Sequence, residues 1–507
     1  PKELCDFYVD KFKNIDERLH IDYTHFIRTT NDYHKQEVIK LFNQLRSQGD
    51  IYLGSYIGWY NTREETFVSE HDAASFNYLD PVSKLPLQKI TEPSYFFKLK
   101  KYLPLVLEFL QQNENFIVPS VYHNNICIRL RQYLEGDLED LSISRTKIQW
   151  GIPIPNNDTS SDQHCLYVWM DALLNYHTGP LHKLGNSPFN PNIKLTDKVT
   201  DRFESSDKTE STESTQGFER ADRTDSTNSN EGFEKQKSRA EVVHVIGKDI
   251  LWFHAVIWIA FLKALNFNLP RKIYVHDFIV DKYGHKMSKS IGNVIDPTIL
   301  IKKYGVNAVR FYLVKETTLG IDMKFSEEAL AQCVVSELAS KLGNLVNRVL
   351  SISGKYVQGI IPMNPTSLDS STSSLTEKTE PYNAHMFYDR ILLALNEYRL
   401  SDIVEYLQEM IHKTNQHLMK TMIWKIKDKE EFDRVGPPFI KVYLEAILII
   451  GQFFEPILPD ISPKIFEALT FEKNNPYMLE PNKFWNQLRS GSKVKTSLIL
   501  FQLKNNI

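Results

Sequence analysis

Cysteine is scarce in this chain: four in 507 residues, Cys5, Cys127, Cys165 and Cys333. No two stand at metal-ligand spacing, and no Cys-x-x-Cys or Cys/His cluster occurs. Neither a disulfide framework nor a cysteine-built zinc site is written here; buried free thiols in a reducing compartment are expected. Charge of one sign is also missing, the net being −3. Any contact with nucleic acid must then come from local basic surfaces and stacking groups. Long apolar runs are absent. The two most apolar stretches, Phe253–Leu265 and Tyr443–Phe454, fall short of the roughly 20 residues of a spanning helix, and each holds a charge, Lys263 or Glu445. No membrane segment is expected. No signal peptide opens the chain, since Pro1 leads straight into a helical pattern, so targeting is not readable from it.

What is present suffices for two or three domains: 42% hydrophobic residues, with 29 Phe and 24 Tyr. Leu4, Tyr8, Phe12 and Ile15 share one helical face, as do Val38, Leu41, Phe42 and Leu45. Residues 51–60 and 66–68 are aromatic and strand-like around a turn, which predicts a small β subdomain. Ser94–Gln112 reads as helix. Leu166–Trp169, Val242–Ile246 and Lys272–His276, the last continuing toward Phe278–Val280, read as buried strands alternating with helices. That pattern predicts an α/β fold with a doubly wound parallel sheet. Residues 195–240 are rich in Ser, Thr, Asp, Glu and Lys without apolar periodicity, and are expected to be a disordered insertion; 364–380 repeat the character as a linker. After Phe325 the stripe Leu330, Val334, Leu338, Leu342, Leu345, Val346, Val349 opens a helical bundle, with further helices over 384–423 and 438–454. The expected division is 1–50, 51–93, 94–324 and 325–507.

The sharpest local signal is Lys286-Met287-Ser288-Lys289-Ser290, just past an apolar strand and flanked by Gly284 and Gly292. Two lysines three apart supply mobile ammonium groups, and Ser288 and Ser290 small donors. This suits a triphosphate whose charge moves onto departing pyrophosphate. A solvated basic loop is the plain alternative. A P-loop is excluded, for no Gly-x-x-x-x-Gly-Lys occurs.

This pentapeptide resembles the signature loop of class I aminoacyl-tRNA synthetases, and the resemblance extends, within that class, to the methionyl enzymes. It is carried by Ile21–Thr30 with His34, Gly58-Trp-Tyr60, Glu65-Thr-Phe67, Glu92–Phe97, Ser142–Arg145, Trp150–Pro153, Tyr167–Tyr176, His244–Ile250 with Phe253-His254, and Leu342–Arg348, spanning about residues 20 to 470. The resemblance implies a Rossmann-like catalytic domain, incomplete at its N terminus, with a knuckle insertion and a helical anticodon-binding domain. It implies activation of methionine by ATP, with Mg2+, to methionyl-adenylate, and transfer to tRNA-Met. Trp169, Ala172, Tyr176, Ile250 and His254 would line the methionine pocket, with Asp249 supporting it. A thioether favours aromatic edges such as those of Trp169 and Tyr176. Lys286 and Lys289, with Met287, Ser288 and Ser290, would hold ATP phosphates, and Arg145 would organise the site. Asn415, Trp424 and Lys341 would meet tRNA, Trp424 by stacking on an anticodon base, although Trp424 suits a core position equally well.

Two departures matter. No cysteine lies between Ile57 and Thr91, where the family's knuckle often holds zinc, so the resemblance is to its zinc-free branch, and the style around Glu3–Asp6 leans toward mitochondrial forms. No His-x-Gly-His occurs; the family places it on the first strand-to-helix turn, ahead of the matched residues. The chain as it stands is therefore expected to lack an N-terminal quarter and to form adenylate poorly. A monomer in the mitochondrial matrix is expected. The alternatives are another class I synthetase, or a non-catalytic tRNA-binding paralogue.

Overall fold

The computed structural model describes residues 1–61, 66–68, 70–80, 85–136, 140–147, 150–155, 163–191, 241–288, 291–363, 380–472 and 484–501. The expected insertion at 195–240, almost all of the 364–380 linker, and Lys289 and Ser290 lie outside them. The chain gathers into two compact units, 23–276 and 1–22 together with 277–507. The break at Asp277 differs from the expected boundary at 324/325.

Helix α1 (Lys2–Arg18) belongs with the second unit, where Arg310 donates to the Leu19 carbonyl and to that of Pro456. It buries no residue. Of the expected stripe, Leu4, Tyr8 and Phe12 are exposed and Ile15 is half-buried; Phe7 is exposed as well.

In the first unit α2 (Asp32–Ser47) buries the expected stripe Val38, Leu41, Phe42, Leu45. An antiparallel sheet follows: β1 (Ile51–Asn61), β2 (Thr66–Val68) and β3 (Gln88–Phe97), with the short α3 (Glu70–Ser75) between the last two. The β1–β3 ladder runs from Ile51 opposite Phe97 to Tyr60 opposite Gln88. The helix expected from Ser94 therefore starts later. Tyr95, Phe96 and Phe97 stay in β3, as aromatic side chains favour a pleated surface, and α4 covers Leu99–Gln112.

The parallel sheet has the order β4 (Ile117–Val118), β9 (Lys272–His276), β8 (Val243–Gly247). Two of its strands were legible; β4, two residues long before α5 (Ser120–Glu135), was not. Leu166–Trp169 is no member of that sheet. Instead β5 (Leu141–Ser142) extends the antiparallel sheet, β6 (Ser144–Arg145) pairs with β7 (Cys165–Leu166), and α6 (Val168–Leu173) begins at once, followed by α7 (Asn175–Leu184). A short apolar run does not distinguish strand from buried helix. Past β8 come a 3₁₀ turn (Lys248–Ile250), a π-helical turn (Phe253–Trp258) and α8 (Ile259–Ala264), buried on nearly every side.

The second unit carries β10 (Ile279–Val280) and β11 (Met323–Lys324) as a parallel pair, so Phe278–Val280 does not prolong β9. Helices α9 (Pro297–Tyr304), α10 (Val306–Glu316) and α11 (Glu327–Cys333) lead into a π-helical segment (Val334–Gly343) and α12 (Asn344–Val357). The stripe from Leu330 to Val349 is buried throughout. The expected helix over 384–423 is two, α13 (Ala384–Asn396) and α14 (Leu400–Thr421), broken where Tyr398 takes φ 59°. Helix α15 (Lys429–Phe454) begins well before the expected 438, its Asp428 cap accepting from the Glu431 amide. At 26 residues it is long and apolar enough to cross a membrane, but 78% of its apolar window is buried inside this unit, as a core helix would be. The short α16 (Ser462–Ala468) packs against it.

Candidate active site

In the first unit, four expected pocket residues are drawn together by the α6–α7 turn and the π-helical turn. The Trp169 ring lies on that of Phe253, centroids 3.5 Å apart and planes 12° off parallel. The Tyr176 hydroxyl donates to His254 Nε2 at 2.7 Å, and His254 Nδ1–H donates to the Ile250 carbonyl at 2.9 Å. That carbonyl fixes the tautomer: with the proton on Nδ1, Nε2 keeps its lone pair for tyrosine. Burial pushes the His254 imidazole down and the Tyr176 phenol up to about 12, so both are neutral near pH 7. Ala172, half-buried, lies on α6, which packs against the π-helical turn.

Behind them stands His244, not foreseen as functional. Its pKa is pushed down to about 3, first by burial and then by His254. The Trp258 indole N–H donates to its Nε2 at 3.2 Å, and its ring centroid is 4.3 Å from that of Tyr176. A cavity of about 470 Å³ opens beside this cluster, walled by His25, Asn175, Tyr176, Phe189, Val243 and His244 among others. Of the expected pocket residues Tyr176 lines it; Trp169, Ala172, Ile250 and His254 do not.

Three further residues hold this arrangement. His34, fully buried on α2, meets Asp171 Oδ1 at 2.8 Å through Nε2 and Thr178 Oγ1 at 2.7 Å through Nδ1. It thereby ties α2 to both helices that carry Trp169, Ala172 and Tyr176. Asp249 is exposed on the 3₁₀ turn, and its carboxylate lies over Gly247: a Cβ there would come within 2.6 Å of Oδ1. Arg145 donates to Ser142 Oγ and to the Ser144 carbonyl, each at 2.7 Å, and its guanidinium lies 4.1 Å from the Tyr167 ring centroid.

In the second unit, the signature loop is organised from behind by Asp281 and Asn293. Asp281 accepts from the amides of Tyr283 and His285 and from Asn293 Nδ2. The Asn293 hydrogen bond, with the backbone donors, lowers its pKa to about 2. Asn293 Oδ1 in turn accepts from the Ser288 amide at 2.8 Å. Gly284 and Gly292 adopt φ of 90° and 73°, a region that side chains resist. Lys286 is exposed, its ammonium 4.5 Å from the Phe278 ring centroid, while Met287 packs into the helical core. Neither Asp281 nor Asn293 was singled out from sequence, although Asn293 stood beside the motif.

The expected tRNA contacts lie on helices of this same unit, and each has a partner there. Lys341 pairs with Glu337 at 2.6 Å. Asn415 accepts from Arg348 at 3.2 Å and donates to the Ile411 carbonyl at 3.2 Å. Trp424 is half-buried against the helical core, its carbonyl accepting from Tyr356 at 3.3 Å.

A short parallel sheet beside a neutral aromatic cluster, and a lysine loop braced by an asparagine, are features expected of an α/β synthetase of the class I kind. The family model for class I (M) tRNA synthetases matches residues 1–76, 75–184 and 214–350. A methionine–tRNA ligase of Caldanaerobacter subterraneus subsp. tengcongensis is 32% identical over 504 residues, 99% of this chain and 68% of its own length. That of Thermotoga maritima is 30% identical over 97% of this chain and 69% of its own, and that of Halalkalibacterium halodurans 32% identical over 94% and 64%. The chain thus spans about two thirds of the length of these relatives. A Mycobacterium tuberculosis methionyl-tRNA synthetase solved with methionyl-adenylate matches with a TM-score of 0.73 at 28% identity, over 97% of this chain and 85% of that one. The chain belongs to the methionyl-tRNA synthetase family.

Proposed function

We propose that the protein is a methionine–tRNA ligase. A methionine carboxylate oxygen attacks the α-phosphorus of ATP, pyrophosphate departs, and the acyl group of methionyl-adenylate then passes to a terminal ribose hydroxyl of tRNA-Met as AMP leaves. One observation carries this reading. The Trp169–Phe253 stack and the hydrogen-bonded Tyr176–His254 pair are aromatic and uncharged, and we read them as one wall of the methionine site, with the His254 lone pair already satisfied by Tyr176. Such a wall favours a polarizable thioether and offers nothing to a charged side chain. Ala172 and Ile250 complete it, and Asp249 supports it from the 3₁₀ turn. Lys286, with Lys289, Ser288 and Ser290, offsets the charge gathering on pyrophosphate, and Met287 anchors the loop. Arg145 holds the strand leading into α6. Asn415, Trp424 and Lys341 place the anticodon end of tRNA.

Magnesium accompanies the nucleotide phosphates. The knuckle segment is read as zinc-free, on the absence of cysteine from 57–91. The protein acts as a monomer in the mitochondrial matrix, which imaging of the full-length tagged protein and sedimentation test directly. The decisive experiment is ATP–pyrophosphate exchange by the full-length protein, followed by charging of a tRNA-Met transcript. Exchange is expected with methionine alone among the amino acids, lost on chelation and restored by Mg2+. Exchange indifferent to methionine would end this reading.

A further inference from the structure

Strand β4 runs straight into α5, and where they meet the first unit holds a second cavity, of about 780 Å³. Its walls include Glu114, just past α4, and one face of α5 through Ser120, His123, Cys127 and Arg131. In the parallel sheet β4 lies at the opposite edge from β8, the strand of His244, so this is not the aromatic cavity described above. Two features of the wall stand apart. Helix α5 has 16 residues and begins with neither a side-chain cap nor an acidic residue in its first turn. Its first N–H groups, at Ser120, leave the positive end of the helix unanswered, which favours an anion. His123 is the second feature. It is 4% exposed, and its Nδ1 has no hydrogen-bond partner among the described residues. The Leu110 carbonyl engages the ring at its other nitrogen, which fixes the proton there. Burial pulls the imidazole pKa down, against the opposing pull of that carbonyl and of Glu114. Nδ1 is thus left with a buried lone pair and no donor, which native interiors rarely tolerate.

We propose that this cavity binds a phosphate monoester, with its oxygens on the α5 amides and the Ser120 hydroxyl and its P–OH donating to His123 Nδ1. The two features select the ligand together. The helix end asks for an anion, and the imidazole asks for a donor. A carboxylate, a sulfate or a phosphate diester is an anion with no proton to give near pH 7. A monoester, whose second ionisation lies at about 6, brings both. The face of α5 from Ser120 to Arg131 is roughly 16 Å long, more than a phosphate fills, and leaves room for the alcohol half of the ester. A metal is the weaker reading for His123 and Cys127, one helical turn apart. Burial raises the Cys127 thiol, and no group of three His, Cys, Asp or Glu able to hold an ion occurs among the described residues. The ionisable groups that share the cavity with His123 are Glu114 from the α4 side and Cys127 and Arg131 on its own helix. The imidazole is neutral in the free protein and the ester is a dianion above pH 7, so binding takes up one proton.

The test is calorimetric titration of the full-length protein with ribose 5-phosphate, with inorganic phosphate and ribose as controls. Ribose 5-phosphate is expected to bind more tightly than inorganic phosphate, and ribose not to bind. From pH 7 upward its affinity should fall about tenfold per pH unit. His123→Asn sets an amide near the place of Nδ1 but takes up no proton. Its affinity at pH 7 should be lower on the order of tenfold, and the pH slope should flatten. Ser120→Asp puts a carboxylate among the amides and should abolish binding. A negative charge in the first turn suits a helix, so that loss would not be a loss of fold, and the melting temperature checks it. Absence of binding, binding that survives Ser120→Asp, or a pH slope that His123→Asn retains overturns the proposal. The site stands apart from the ligase reading. A protein that binds the ester with these signatures yet exchanges no pyrophosphate with methionine supports this inference and removes that reading.

Discussion

At the scale of single residues, the site is a matter of which lone pairs are already taken. His254 donates from Nδ1 to a backbone carbonyl and accepts at Nε2 from Tyr176, and burial keeps it neutral. Tyr176→Phe removes the acceptor's partner and leaves a buried nitrogen unsatisfied, a cost of about 1–2 kcal/mol. Steady-state exchange assays should show the methionine KM rising roughly tenfold while the KM for ATP stays put. A methyl group at Gly247 would meet the Asp249 carboxylate, the end of an exposed side chain that must move aside. Gly247→Ala should displace that carboxylate and lower kcat/KM for methionine with little change in melting temperature. An alanine variant kinetically equal to the parent would show that Asp249 plays no part.

At the scale of elements, two helices share an irregularity. In the second unit Leu330, Val334, Leu338 and Leu342 recur every four residues, a longer interval than the 3.6-residue turn can keep on one face. The helix widens to π over Val334–Gly343, which holds the stripe inward before Leu345, Val346 and Val349 resume the normal period. Ile250, His254 and Trp258 show the same spacing across the other π-helical turn. The first unit also depends on α2, whose His34 clamps α6 and α7. His34→Ala strands Asp171 and Thr178, and should destabilise the fold by about 2–4 kcal/mol in denaturant titrations. His34→Gln, which retains one hydrogen bond, should recover part of this. The strand residue His244 sets a pH window. Its folded-state pKa of about 3 lies below the unfolded 6.5, so between those values the unfolded chain binds the extra proton. Stability then rises with pH from 3 to 6.5 and levels off above, by about 1.4 kcal/mol per pH unit at most for this one group. Melting temperatures of His244→Asn should show a flatter slope in that window than the parent.

At the scale of the whole molecule, the chain gathers into two units, each with its own core. Trp169 stands in one and Trp424 in the other. Trp169→Ala should cost methionine activation and spare tRNA affinity, and Trp424→Ala should do the reverse. In the double variant the two losses in charging should multiply within about 0.5 kcal/mol, the margin for independent sites. A marked departure from that product would show the two sites to be coupled.

Much was settled by sequence alone. The buried stripes of α2 and α12, the strands β8 and β9, and the presence of the signature motif all follow from local periodicity and local chemistry, which neighbouring residues carry among themselves. Other features needed the fold. Strand β4 is too short to announce itself and exists because β9 offers it an edge. Leu166–Trp169 split into a strand end and a helix, and Tyr95–Phe97 remained in β3, because pairing partners far along the chain outweigh propensity. That His34 would reach Asp171 and Thr178, and that Arg348 would claim Asn415, are facts about distances between residues remote in sequence. A hydrogen bond depends on where two groups stand in space, and only the tertiary structure sets that.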